Sequence, residues 1–292
     1  MSRRLALICN PSAGGGRALR RLPVAVAELE RLGAPHRVVL TTDIDHARAE
    51  AAAARDAGET VAALGGDGLV RPLAAVLRGG ESALAILPGG RGNDLARVLE
   101  IPSEPAAAAR VAVEGRERTI DMATVDGEPY VGIASLGFDS VANRIANEAR
   151  LVRGNAVYLY AALRALAGWR PAAFEVTVDG ERHELSGFSV GVANSRAYGG
   201  GMLVAPHAEL DDGLLDVAAV AAMPRWRFLT RVLPRVFDGS YLSDPNVHVW
   251  RGAAIEIAAD RPFEIYADGD PIGAVPARIE VVPRALRVIV PR

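Results

Sequence analysis

Four times before residue 100, a short apolar run ends in a turn and gives way to a stretch with helical character. This alternation constrains the fold more than any other feature of the chain. Leu5–Cys9 runs into Asn10-Pro11-Ser12-Ala13-Gly14-Gly15-Gly16, after which apolar residues recur at Leu19, Leu22, Val26 and Leu29 until Gly33. The apolar pattern at 38–40 precedes an alanine-rich stretch at 47–57, with Asp43 or Asp45 as its cap and Gly58 as its stop. The run at 60–64 meets Gly65-Gly66-Asp67-Gly68, and the run at 83–87 meets Pro88-Gly89-Gly90-Arg91-Gly92-Asn93-Asp94. Such alternation predicts a parallel sheet covered by helices on both faces. Ligands of open sheets of this kind bind beyond the carboxyl ends of the strands, where all three glycine loops fall.

After about residue 121 the pattern changes to short β-like pieces bounded by turn pairs. These are Asp126-Gly127, Asp179-Gly180, Asp212-Gly213 and Asp268-Gly269-Asp270, each read as a hairpin or meander. Helices are expected at 139–149, 157–166 and 224–237. The expected organisation is an α/β nucleotide-binding domain at 1–121 and a β-rich, sandwich-like domain at 122–283. Residues 284–292 would pack back on the first domain, and the active site would lie in the cleft between the two.

At 292 residues, half of them hydrophobic and 23% charged, the chain can build a sizeable core, which excludes a disordered protein. A net charge of -2 argues against a nucleic-acid partner. There is no lysine, so the lysine of a Walker-type phosphate loop is absent. The single cysteine, Cys9, permits neither an internal disulfide nor a cysteine-rich zinc site. The first ten residues read as a strand rather than a signal peptide, and no run approaches the ~18 apolar residues of a membrane span. A cytoplasmic protein is therefore expected, peripheral to a membrane where it touches one.

A strand that runs into a glycine turn and then a helix start presents backbone N–H groups at the positive end of the helix. Glycines let a phosphate approach that backbone, and neighbouring aspartates can hold a metal ion. Each loop also has a plainer reading. The loop at 10–16 can be an ordinary turn, Asp67 a solvated turn acid, and Asn93-Asp94 a helix cap. None fits the G-x-G-x-x-G fingerprint of a dinucleotide-binding dehydrogenase.

The three loops, in this order, resemble the diacylglycerol kinase catalytic-domain family, which includes soluble bacterial lipid kinases and the sphingosine and ceramide kinases. The resemblance rests on Asn10-Pro11-x-Ala13-Gly14, Gly65-Gly66-Asp67-Gly68, and Pro88-Gly89-Gly90-x-Gly92-Asn93-Asp94-Leu95-Ala96-Arg97. It continues through Leu136-Gly137-Phe138-Asp139, Tyr198-Gly199-Gly200-Gly201-Met202, Pro206, Asp211-Asp212-Gly213-Leu214-Leu215-Asp216-Val217 and Asp268-Gly269-Asp270-Pro271.

The resemblance implies an ATP- and Mg²⁺-dependent kinase acting on a lipid hydroxyl of diacylglycerol type. Asn10, Pro11, Ala13, Gly14, Thr41, Gly65, Gly66, Asp67, Gly68, Gly90, Arg91 and Asn93 would hold the nucleotide. Asp67, Asp94 and Asp270 would converge on Mg²⁺ and the phosphates, with Asp270 as base in place of the family's Glu. Glu209, Asp212 and the Leu214 carbonyl would hold a second, structural metal. Transient contact with a membrane surface fits such a substrate, and the oligomeric state is left open, a homodimer included.

The chain departs from the family at Leu69, Arg71, Pro72 and Arg91, which replace Thr, Asn, Glu and Thr. Two hydroxyls near phosphate are lost while two guanidinium groups appear, and these pair well with phosphate. An NAD kinase-like enzyme and a silent nucleotide- or lipid-binding homologue are the competing readings. The five histidines (His36, His46, His183, His207 and His248) show no metal spacing, and no Gly-x-Ser-x-Gly elbow is present. The stretch at 224–237 reads as an amphipathic helix packed on the β-rich domain, with a basic face that could instead meet lipid headgroups.

Overall fold

The computed structural model describes residues 3–149 and 156–292. The first part runs β1 (Leu5–Cys9), α1 (Ala13–Arg31), β2 (His36–Leu40), α2 (Ile44–Asp56), β3 (Thr60–Gly65), α3 (Asp67–Leu77), β4 (Leu84–Pro88), α4 (Asp94–Val98) and α5 (Pro105–Glu114). Strands β2, β1, β3 and β4 lie side by side in that order, all parallel. Strands β1, β3 and β4 are buried along their whole length, as strands covered on both faces must be.

The helices follow local sequence signals. Asp43 caps α2 by accepting the N–H of His46 at 2.8 Å, and Ala47, Ala51 and Ala54 form its buried face. In α1 the buried positions are Ala18, Ala25, Glu28 and Leu29, whereas Leu19, one of the apolar residues at helical spacing, is 45% exposed. Gly14, Gly15 and Gly16 all have positive φ, so regular helix starts only after them. Glu28 accepts from Arg31 of its own helix and from Arg110, which ties α1 to α5; the two guanidiniums hold its carboxyl down at about 2.

The second part contains β5 (Arg116–Val125), β6 (Glu128–Tyr130), β7 (Ile133–Gly137), α6 (Phe138–Glu148), α7 (Ala156–Gly168), β8 (Ala172–Val178), β9 (Glu181–Ala193) and β10 (Leu215–Ala221). After the single turn α8 (Arg225–Arg227) come β11 (Val247–Gly252), β12 (Ala254–Ala259), β13 (Glu264–Ala267), β14 (Asp270–Ala274) and β15 (Ala277–Val290). The strands of this part pair antiparallel with one another.

The two parts share one continuous sheet because β15 serves both. Its early residues pair with β12, its whole length pairs with β5, and Val288 pairs in parallel with Leu84 of β4. Asp121 fixes this junction, its buried carboxylate accepting the N–H of Gly213 at 2.8 Å and of Arg284 at 2.6 Å. An aromatic core of Phe138, Trp169, Phe188, Phe228 and Phe263 fills the second part, with Phe188 stacked on Phe228 at 4.3 Å.

Two expectations are corrected. Asp212-Gly213 is not a hairpin; it lies in the long connection between β9 and β10. The 224–237 stretch is not a regular helix. One α-turn leads into a π-turn at Phe228–Val232 and a 3-10 turn at Leu233–Phe237. Pro234 lacks the N–H that would continue the α-helical ladder.

Candidate phosphate-binding cleft

The three glycine loops stack against one another at the carboxyl ends of β1, β3 and β4. The Gly65 carbonyl accepts the N–H groups of Gly89 at 2.7 Å and Gly90 at 3.0 Å. A side chain on Gly90 would stand 2.4 Å from the Gly66 Cα, and one on Gly66 would stand 2.9 Å from the Gly90 Cα. At Gly14, where φ is +60°, it would meet the Gly89 carbonyl at 2.5 Å. These glycines are required by backbone packing alone. Gly68 differs: it has open space around it and ordinary φ, so the fold places no demand on it.

Several predicted binding residues spend their polar atoms inside the loops. Asn10 closes its own turn, accepting from the N–H and hydroxyl of Ser12 and, through its carbonyl, from the Ala13 N–H; Pro11 continues that turn. Asn93, in the left-handed region at φ 53°, takes the Gly90 N–H at 2.8 Å and returns a hydrogen bond to the Gly90 carbonyl at 3.1 Å. Thr41 is buried and its hydroxyl donates to the Cys9 carbonyl at 3.3 Å. Arg91 is exposed at the loop tip.

Beyond the loops lies a cleft lined by Asp67, Arg71, Asp94, Asn143, Tyr198 and Asp268, among others. Asp67 opens α3, and its Oδ1 accepts the N–H groups of Asp94 (2.8 Å) and Leu95 (3.4 Å). Asp94 opens α4 and accepts the N–H of Gly200 at 2.8 Å, joining the first part of the chain to the second. The Oδ2 atoms of Asp67 and Asp94 both stand 2.9 Å from the position a Gly92 Cβ would take, so both carboxylates flank Gly92. Burial, then the charges of Asp94 and Asp268, push the Asp67 carboxyl up to about 6. Burial also raises Asp94 and Asp268.

Two neighbouring carboxylates, both with raised pKa, suit a hard divalent cation. Among the described residues no group of three or more acidic, His or Cys side chains could hold a metal alone. Mg²⁺ is commonly held in just this way, by one or two carboxylates plus substrate phosphates.

Asp270 is not among the residues that line this cleft with Asp67 and Asp94. It is 49% exposed, and its Oδ2 lies 3.6 Å from a terminal nitrogen of Arg71, which itself lines the cleft. The third acid of the cleft is instead Asp268, missed in the sequence, which accepts the N–H groups of Val131 (3.0 Å), Gly132 (2.9 Å) and Ile133 (3.3 Å). Arg71 has 16% of its side chain exposed, and its Nε is buried without a hydrogen-bond partner.

The residues expected to hold a second metal do not fit one as arranged. Asp212 is paired with Arg251 and accepts the Leu214 N–H at 3.0 Å, while Glu209 is exposed in a groove with Arg118 and Arg196. A cation there would have to displace a guanidinium.

Residues 4–125 match the family model of the diacylglycerol kinase catalytic domain, and residues 132–290 that of the YegS C-terminal NAD kinase beta sandwich-like domain. The chain is 34% identical over 297 residues to a diacylglycerol kinase of Mycobacterium tuberculosis, covering 99% of this chain and 96% of that protein. It is 32% identical to the "Probable lipid kinase YegS-like" of Pseudomonas aeruginosa, covering 99% and 94%. The fold is that of a diacylglycerol kinase from Bacillus anthracis str. Sterne, with a TM-score of 0.76, 22% identity, and 99% and 97% of the two chains covered.

Proposed function

The chain belongs to the diacylglycerol kinase catalytic-domain family of lipid kinases, and on that premise we propose that it transfers the γ-phosphate of ATP to the hydroxyl of a diacylglycerol-like lipid. The observation that carries this reading is the cleft itself. Three stacked glycine loops open onto Asp67 and Asp94, with a partly unsatisfied guanidinium, Arg71, beside them.

The first turn of α3 and the open space at Gly68 receive the phosphates through backbone N–H groups. Asp67 and Asp94 would hold Mg²⁺, whose charge would offset that of the phosphates. Phosphoryl transfer depends mostly on positioning and on charge stabilisation. Arg71 supplies a cationic side chain to the cleft of a chain that has no lysine. In the resting state it faces Asp270; on turning to the γ-phosphate it frees that carboxylate. Asp270 then accepts the hydroxyl proton as the lipid oxygen bonds to the γ-phosphorus and the bond to ADP breaks.

The test uses γ-labelled ATP, Mg²⁺ and mixed micelles of extracted lipids, with wild type, Asp67→Ala and Asp270→Asn. Label is expected in the organic phase for wild type and not for either variant. Label confined to the aqueous pool across a broad lipid panel would overturn the reading and direct attention to NAD as acceptor.

A further inference from the structure

Every exposed large aromatic side chain among the described residues lies on two neighbouring segments, α7 and the stretch at 224–237. Trp226 is 66% exposed, Phe237 60% and Tyr160 37%, and beside them Leu163 is 45% exposed. Trp226, Leu163, Leu166, Ala167 and Leu229 line one shallow groove between the two segments. The exposure is not a packing defect. Phe228 and Val232 of the same stretch are buried, Phe228 within the aromatic core, so the segment is anchored while its other side is left bare. Arg225 fastens it to the end of α7 by donating to the carbonyls of Ala167 and Trp169.

The charge on this face is one-sided. Residues 156–168 and 224–237 contain Arg164, Arg225, Arg227, Arg231 and Arg235 and not one acid, in a chain whose net charge is -2. Arg227 is neutralised by Asp244. Asp238, just past the end of the second segment, has its carboxyl lowered by hydrogen bonds from Ser240 and further by the charge of Arg235, which leaves Arg225 and Arg231 as the arginines of that segment with the least acidic company. The face therefore joins amphipathic aromatics to unbalanced guanidinium groups.

We infer that this face of α7 and the 224–237 stretch docks the protein on an anionic lipid bilayer. Tryptophan and tyrosine favour the headgroup level, where one end of the ring system is dry and the other wet. Arginine stems can lie along acyl chains while their heads reach lipid phosphates. A second copy of the chain fits less well, because a twofold contact through this face would set its arginines against their own equivalents. The face also communicates with the cleft. The Leu203 N–H donates to the Val236 carbonyl, and three residues earlier in the same loop the Gly200 N–H donates to Asp94. Docking through short turns rather than a long helix inserts shallowly, so binding is reversible and weakened by salt.

This inference accords with the lipid-kinase reading but does not rest on it, and its test needs no nucleotide. Sedimentation with vesicles of phosphatidylcholine, alone or mixed with phosphatidylglycerol, measures binding directly, alongside analytical ultracentrifugation of the free protein. Binding is expected only to the anionic vesicles, with a blue shift in tryptophan emission that Trp226→Ala removes. Arg231→Gln and Arg235→Gln should each weaken partition about fivefold, with unchanged melting temperatures, since both side chains are exposed. Equal binding to neutral and anionic vesicles, or unchanged binding in all three variants, would overturn it. So would a wild-type dimer that Trp226→Ala splits into monomers, which would make the face a contact between copies. Vesicle binding without phosphorylation of any lipid would leave this inference standing and remove the kinase reading instead.

Discussion

Asp67→Asn separates the cost of the cleft from its use. The Asp67 carboxyl is carried from its ordinary 3.8 to about 6 by burial and by the charges of Asp94 and Asp268. That displacement corresponds to roughly 3 kcal/mol disfavouring the ionised native form, of which about half should survive relaxation and water entry. Below the unfolded value near 3.8 the acid is protonated in both states and costs nothing. Between there and about 6 the unfolded chain loses its proton first, so stability falls as pH rises; above about 6 the full cost is present. Asn keeps an acceptor for the Asp94 and Leu95 N–H groups, both of which go to Oδ1. Its amide replaces the Oδ2 that flanks Gly92 and removes one of the two neighbouring charges. In chelator at pH 8, Asp67→Asn should therefore melt roughly 3–6 °C above wild type, the gain fading on acidification below about pH 6. Mg²⁺ should raise the wild-type melting temperature and close the gap, while the variant is inactive. A variant that melts at or below wild type at pH 8 would show that the two acids do not strain each other, and the cation site would lose its physical basis.

Gly90→Ala drives a methyl into the Gly66 backbone and should destabilise by about 1–3 kcal/mol, read by thermal melts, with nucleotide binding lost alongside. Gly68→Ala meets nothing, so its melting temperature should hold while KM for the nucleotide rises; an unaffected KM would mean that phosphate does not use that space. Asp121→Ala leaves the Gly213 and Arg284 N–H groups without their acceptor and should cost on the order of 2–4 kcal/mol in urea unfolding, whatever it does to activity.

Much of the first part was legible because its signals are local. Apolar runs that end in glycine turns sit on covered strands, and Asp43, placed just before an alanine run, is a cap because the next residues need an acceptor. What failed depends on contacts between residues far apart. Leu19 obeys helical spacing yet faces solvent, because no partner element covers it. Only the return of residues 284–292 to the first part was expected; that the same strand also pairs with β5 and β12 leaves no mark in its own residues, since it is decided by where the other strands lie. The 224–237 stretch has helical spacing, but Pro224 and Pro234 leave room for only short, mixed turns.

The two acids of the Asp268-Gly269-Asp270 turn show why motif order alone could not finish the site. In an extended strand, residues two apart point to the same face, which would give both carboxylates the same surroundings. Asp268 instead takes a positive φ of 53° at the turn, a conformation aspartate tolerates better than most residues. Its carboxylate turns back onto the N–H groups of residues 131–133. That contact fixes the hairpin against the start of β7 and leaves Asp270 on β14, half-exposed and opposite Arg71. The departure at position 71 and the proposed base at position 270 thus form one ion pair. A family asparagine at that place would leave Asp270 without a guanidinium to face; on the proposed reading, an anion that drew Arg71 away would free that carboxylate.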